Sequence, residues 1–188
     1  MKIIFLDTEF TGEHSKTTLV SAGFVTLDNK KLYITLNDYN KDQVTPWLKK
    51  NVLSKINKKF SISAREAYQK VSKFFADNSQ GQKIQLVTAG KTLDITLIYD
   101  LFHQKSPKKK YMHYLHDLPK YLNHDFHLDL STLFYLCGYS KKVNREKFAN
   151  LRTKNLKHNA LYDAMVIRKC FIKLMKNFPK VYKKKNEI

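Results

Sequence analysis

Apolar and polar positions alternate with two different periods along this chain. Ile3-Ile4-Phe5-Leu6 is an uninterrupted apolar run of the length a central, doubly covered strand gives. Residues 18–27 and 31–36 flank Asp28-Asn29, a turn dipeptide, and predict a hairpin. A helical region follows from Pro46-Trp47 to Leu53. Ser63-Ala64-Arg65-Glu66 has the form of a capping box, and Ala67, Val71, Phe74 and Phe75 recur behind it at helical spacing, predicting a helix to about Asp77. Residues 84–89 predict a fourth strand opening onto Gly90. Residues 94–102 read as a helix with Ile95, Ile98, Leu101 and Phe102 on one side. The stretch 103–124 has no clean period, being interrupted by Pro107, Pro119 and a lysine cluster at 108–110. Residues 126–130 predict a fifth strand. The clearest helix covers 160–176, with Leu161, Ala164, Ile167, Phe171 and Leu174 as its apolar stripe. Three early strands, then alternating helix and strand, indicate an α/β chain: a mixed five-stranded sheet flanked by helices.

Length and composition fit that picture and add a charge. A chain of 188 residues with 43% apolar residues can bury a core as one domain, assigned to 1–178, with a basic tail at 179–188. Thirty-five Lys and Arg against sixteen Asp and Glu leave a net charge of +19, which points to an acidic partner such as nucleic acid. The lysines are dispersed along the chain, a pattern suited to non-specific phosphate attraction rather than to one base-reading element. Cys137 and Cys170 lie among apolar residues without a CxxC pairing and read as reduced, buried thiols of a cytoplasmic protein. The N-terminal apolar run is too short for a signal peptide and no run is long enough to cross a bilayer, so no membrane association is expected.

With so few carboxylates, their placement carries information. Asp7 and Glu9 follow the first apolar run at i and i+2, on one face of an extended chain, where two like charges cost free energy unless a cation lies between them. Asp94 follows the fourth strand at the start of a helix; on its own it reads equally as a charge complementing the helix dipole. Asp100 is a rival, but lies mid-helix among apolar residues. His158 and Asp163 are five residues apart, roughly 140° beyond one helical turn. They converge only if His158 is on the loop before the last helix and Asp163 in its first turns. A second set, His113, His116, His124 and His127, has no neighbouring cysteine and no established zinc spacing, and reads as part of a solvated basic flap. Trp47, the sole Trp, reads as core rather than as a stacking platform.

Asp7-Thr8-Glu9-Phe10, Asp94 and His158-x4-Asp163 together resemble the DEDDh exonucleases, the RNase H-like family of the DnaQ-type proofreading subunits, ribonuclease T and oligoribonuclease. The sister DEDDy group carries Tyr where this chain has Asn159. A closer resemblance, through Leu19-Val20-Ser21-Ala22-Gly23 and Pro46-Trp47-Leu48-Lys49-Lys50-Asn51-Val52-Leu53, is to the mycobacterial-type 3′-5′ exoribonuclease branch. One departure is Gly90, where many relatives have Asn. The resemblance implies a 3′→5′ exonuclease acting on single-stranded nucleic acid, RNA in preference to DNA. It implies two divalent cations, Mg²⁺ or Mn²⁺, bridged by Asp7 and completed by Glu9, Asp94 and Asp163, with His158 as general base. Phe10 and Thr11 would lie against the 3′-terminal nucleotide, and a homodimer is plausible because several relatives dimerise. The rival readings are a non-catalytic nucleic-acid-binding protein on the same fold and an RNase H-like endonuclease.

Overall fold

In the computed structural model, which describes residues 1–90, 92–105, 113–140, 142–151 and 156–185, the first strand outruns its apolar signal. Strand β1 spans Lys2–Phe10, because β2 (Leu19–Thr26) pairs with it antiparallel as far as Phe10. Asp7 and Glu9 therefore lie within the strand rather than beyond it. The hairpin forms as expected: β3 (Lys31–Thr35) pairs antiparallel with β2, and the turn places Asn29 in the left-handed region at φ +73°. Strands β4 (Ile84–Thr88) and β5 (Leu128–Asp129) add parallel to the other edge, giving the order β3-β2-β1-β4-β5. The central position of β1 explains its fully buried Ile4, Phe5 and Leu6.

Helices cover both faces. On one, α2 (Ala64–Ser79) and α3 (Leu93–His103) bury Ile4, Leu6, Phe24 and Leu86. Phe75 of α2 bridges this layer, its ring 5.4 Å from Phe24 and 5.5 Å from Phe102. The capping box that starts α2 is present, with Ser63 N–H donating to Glu66 Oε2 at 2.8 Å. On the other face lies α6 (Ala160–Lys185), which packs over Phe5, Val25 and Val87, with the Phe171 ring 5.3 Å from Phe5. Burying one such aromatic side chain stabilises the fold by roughly 1.5–3 kcal/mol. Two short helices that apolar periodicity did not predict, α4 (Leu130–Leu136) and α5 (Arg145–Phe148), flank α6.

The fifth strand is two residues long rather than five. Only Leu128 and Asp129 pair with β4, and the Asp129 carboxylate then caps α4 by accepting from Thr132 N–H at 2.8 Å, turning the chain out of the sheet. Phe126, half exposed, stays outside the ladder. Helix α1 (Pro46–Asn51) starts on Thr45, whose hydroxyl accepts from Leu48 N–H at 3.1 Å. Cys137 and Cys170 are buried thiols, and burial pushes Cys170 up to about 12. Among the described residues no helix is long and apolar enough to cross a membrane. Pro107, the lysines at 108–110 and residues 186–188 of the basic tail lie outside the described residues.

Candidate active site

Strand alternation places Asp7 and Glu9 on the α6 side of β1, in line with Phe5. Opposite Asp7 in the β1–β2 register stands Gly23, and there the first turn of α6 comes down onto the sheet. A Cβ at Gly23 would lie 2.3 Å from both Cα and N of Leu161. That approach brings Asp163 to the strand carboxylates. One oxygen each from Asp7, Glu9 and Asp163 lie within 4.8 Å of one another, the one group of three potential metal ligands found among the described residues. Asp94, in the first turn of α3, is 4% exposed and tethered to β1: its Oδ1 accepts from Thr8 N–H at 3.1 Å and from the Thr8 hydroxyl at 2.6 Å. It stands outside that close trio, yet lines the same cleft of about 740 Å³, together with His158, Trp47, Arg145 and Glu146.

His158 is on the loop before α6, in the left-handed conformation at φ +63°, a backbone state that costs a non-glycine residue free energy. Its N–H donates to Asp163 Oδ2 at 3.0 Å, so the carboxylate that joins the acidic trio also holds the histidine loop. Asn159 caps α6, its side chain accepting from Tyr162 N–H at 3.1 Å. The His158 ring lies 5.0 Å from the Trp47 ring, edge to face. Trp47 is therefore not core. Leu48 and Val52 fill the inner side with Val20, which leaves Trp47 54% exposed at the cleft.

The two residues assigned to the terminal nucleotide have divided surroundings. Phe10 is half-buried, packing against the core beneath α2 and α3 while lining the cleft. The Thr11 hydroxyl is engaged within the protein, donating to Gln43 Oε1 at 2.6 Å and accepting from Thr18 N–H at 2.9 Å. Of the histidine set, His127 Nε2 is 2.6 Å from the Thr88 hydroxyl and the His113 and His116 rings are 6.3 Å apart. Arg145 and Glu146, both on the unpredicted α5, had no signal in the amino-acid pattern. Glu146 accepts from the Tyr162 hydroxyl at 3.1 Å.

Electrostatics in the cluster oppose the ionisation of its carboxylates. Burial, then the charges of Asp94, Asp163 and Glu9, push Asp7 well above the usual carboxylate range, and the Arg145 guanidinium draws it partly back. Burial, with Glu146 adding, pushes Asp163 up to about 6, against the His158 N–H, Lys157 and Lys55. An all-carboxylate donor set of this kind fits a hard divalent cation. In metal-free protein the sign follows from linkage. The unfolded chain loses the Asp163 proton near its ordinary value of 3.8, the fold only near 6, so stability falls as pH rises across that window. After allowance for partial exposure the loss is on the order of 1–2 kcal/mol. In EDTA, the wild-type Tm is expected to fall more steeply between pH 4.5 and 6.5 than that of Asp163→Asn. Equal slopes would show that Asp163 ionises normally in the fold.

Solved structures share this architecture. A 3′-exonuclease with 3′-end-specific recognition of the histone mRNA stem-loop superposes with a TM-score of 0.68 at 12% identity, over 94% of this chain and 64% of that one. S. pombe Pop2p, in its Mg²⁺- and Mn²⁺-bound form, gives 0.62 at 11% identity, over 95% and 84%. E. coli ExoI, in a zinc-bound complex with ssDNA, gives 0.60 at 11% identity, over 97% and 42%. The chain thus spans less than two thirds of the first and less than half of the third. At these identities the shared property is the RNase H-like fold. No curated protein matches the chain by sequence. The model of the 3′-5′ exoribonuclease Rv2179c-like domain matches residues 2–175, nearly the whole chain, with the acidic cleft inside it; the chain belongs to that 3′-5′ exonuclease family.

Proposed function

We propose that this chain removes nucleotides from the 3′ end of single-stranded RNA, with Asp7, Glu9, Asp94 and Asp163 holding two divalent cations, Mg²⁺ or Mn²⁺, and His158 as general base. The observation that carries this reading is the convergence of Asp7, Glu9 and Asp163 to within 4.8 Å beside Asp94 and His158 in one cleft. Two cations bound there would stabilise charge on the attacking and leaving oxygens of a phosphodiester displacement. The protein's own groups do the rest. Thr8 fixes Asp94 against β1, so that its carboxylate reaches the cleft in a single orientation. His158, at the edge of the acidic cleft, takes the base role because imidazole is the side chain suited to proton transfer from water. Asp163 steadies that loop through the His158 N–H. Trp47 and Phe10, at the same cleft, offer aromatic faces to the terminal nucleotide. The charge of +19 suits a partner that is a polyanion.

The test is degradation of 5′-labelled single-stranded RNA and DNA, linear and circular, with Mg²⁺ or Mn²⁺, by wild type and Asp7→Ala. A 3′→5′ ladder from linear RNA, lost in EDTA and in the variant, is the expected result. Faster loss of DNA would reverse the substrate preference, and cleavage of circles would indicate an endonuclease. Salt-sensitive binding without cleavage would leave a nucleic-acid-binding protein on this fold.

A further inference from the structure

Beside the acidic cleft lies a second cavity of about 450 Å³, within the roughly 300–1,000 Å³ range of small-ligand sites. The two share Val143 and Arg145, so they are continuous across one side chain of each kind. The Arg145 guanidinium has five N–H donors. Among the described residues its one side-chain hydrogen bond runs from Nη2 to the Ser131 hydroxyl, at 2.9 Å, on the second cavity's side. Gly90, at φ +90°, closes the floor there: a Cβ would meet Ser131 Oγ at 3.0 Å and Arg145 Nη2 at 3.2 Å, so the missing side chain leaves room for the guanidinium. The walls are aromatic and hydroxylic. The Tyr139 ring is held edge-on between Phe134 and Phe148, at 5.5 and 5.3 Å, whereas Tyr135 is 65% exposed. Thr132 and Ser140 add further hydroxyls.

We infer that this second cavity is a nucleotide subsite, receiving the residue immediately 5′ of the one being removed, with Arg145 on that residue's own 5′-phosphate and Tyr135 against its base or ribose. The inference rests on the exonuclease reading, which puts the terminal nucleotide in the first cleft. Its chemistry follows from the contrast between the two cavities. The first has carboxylates that repel phosphate unless cations intervene, whereas the second has a guanidinium already anchored, with donors to spare, and no carboxylate in its lining among the described residues. An exposed tyrosine beside a fixed one gives a sequence-tolerant stacking wall.

The experiment compares kcat/KM for the dinucleotides pUpU and UpU, which differ only in the 5′-phosphate, in wild type, Arg145→Ala, Arg145→Lys and Tyr135→Ala. Wild type is expected to favour pUpU by about 10-fold or more, as for a hydrogen bond to a charged group. Arg145→Ala should bring that ratio to near one, and Arg145→Lys should keep part of it. Tyr135→Ala, an exposed substitution, should lower both rates by about 5-fold or more and leave the ratio alone. If Arg145 only tempers the charge of Asp7, its loss would depress both substrates equally with the ratio unchanged, and the subsite would be overturned. A wild-type ratio near one, or failure on dinucleotides by an enzyme that degrades longer strands, would overturn it as well. Failure on every strand length would instead sink the exonuclease reading beneath it.

Discussion

Asp7→Asn is expected to raise the stability of the metal-free protein and to abolish its activity. Asp7 occupies the floor of the cleft with three carboxylates around it, and burial and those charges all oppose its ionisation. An amide of the same shape removes the charge, keeps the packing, and offers an N–H₂ donor to the neighbouring carboxylates. At pH 8 in EDTA the gain should be about 1–3 kcal/mol, a rise of several degrees in Tm. Mg²⁺ or Mn²⁺ should reverse the order. Wild type should gain stability with cation concentration by binding the cation in its folded state, and the variant should gain little. The activity loss should reach about 10³-fold, since cations at such a site would lower the barrier by several kcal/mol. Thermal melts with and without Mn²⁺, alongside nuclease rates, measure all three. A variant less stable than wild type in EDTA would mean that Asp7 is a structural acid with partners in the fold. Retained activity would move the reaction away from this cleft.

What could be read in the amino-acid pattern and what could not divide along physical lines. The sheet and its covering helices were legible because the central strands are short runs buried at consecutive positions, whereas α2 and α6 bury apolar residues at helical spacing. Asp7 and Glu9 stood out because i and i+2 share a face only in an extended chain, even though β1 runs on through them. Short elements carried no such signal: α5 has four residues, and β5 ends where Asp129 leaves the ladder to cap α4. Trp47 misled because a Trp beside apolar residues is usually core, and only the packing of Leu48 and Val52 shows which side of α1 faces inward. Arg145 was invisible among thirty-five basic residues. Its place depends on α5, Ser131 and Gly90 coming together from separate parts of the chain, and no local pattern reports that.

Gly23 shows how closely the site depends on backbone spacing. Position 23 requires no unusual backbone angle; what excludes a side chain there is the main chain of α6, 2.3 Å from where Cβ would be. Real Cβ atoms do not come that close to backbone, so Gly23→Ala must lift the first turn of α6 from β2 or push β2 away from β1. Either movement separates Asp163 and His158 from Asp7, the register partner of Gly23. Overpacking of this kind costs about 1–3 kcal/mol, and the upper end is expected where backbone meets backbone. The larger effect should fall on function. Where the variant is still folded, Mn²⁺ affinity should drop by about 10-fold to 100-fold, as when support for ligand geometry is lost, and nuclease activity by at least as much. Gly81→Ala is the control. It strains a left-handed position at φ +75° with nothing within 4 Å of the new Cβ, so it lowers Tm without touching metal affinity. Equal metal affinity in Gly23→Ala and Gly81→Ala, at matched fractions folded, would show that the α6 approach serves stability alone. A selective loss in Gly23→Ala would establish that the sheet–helix contact sets the distance between the carboxylates.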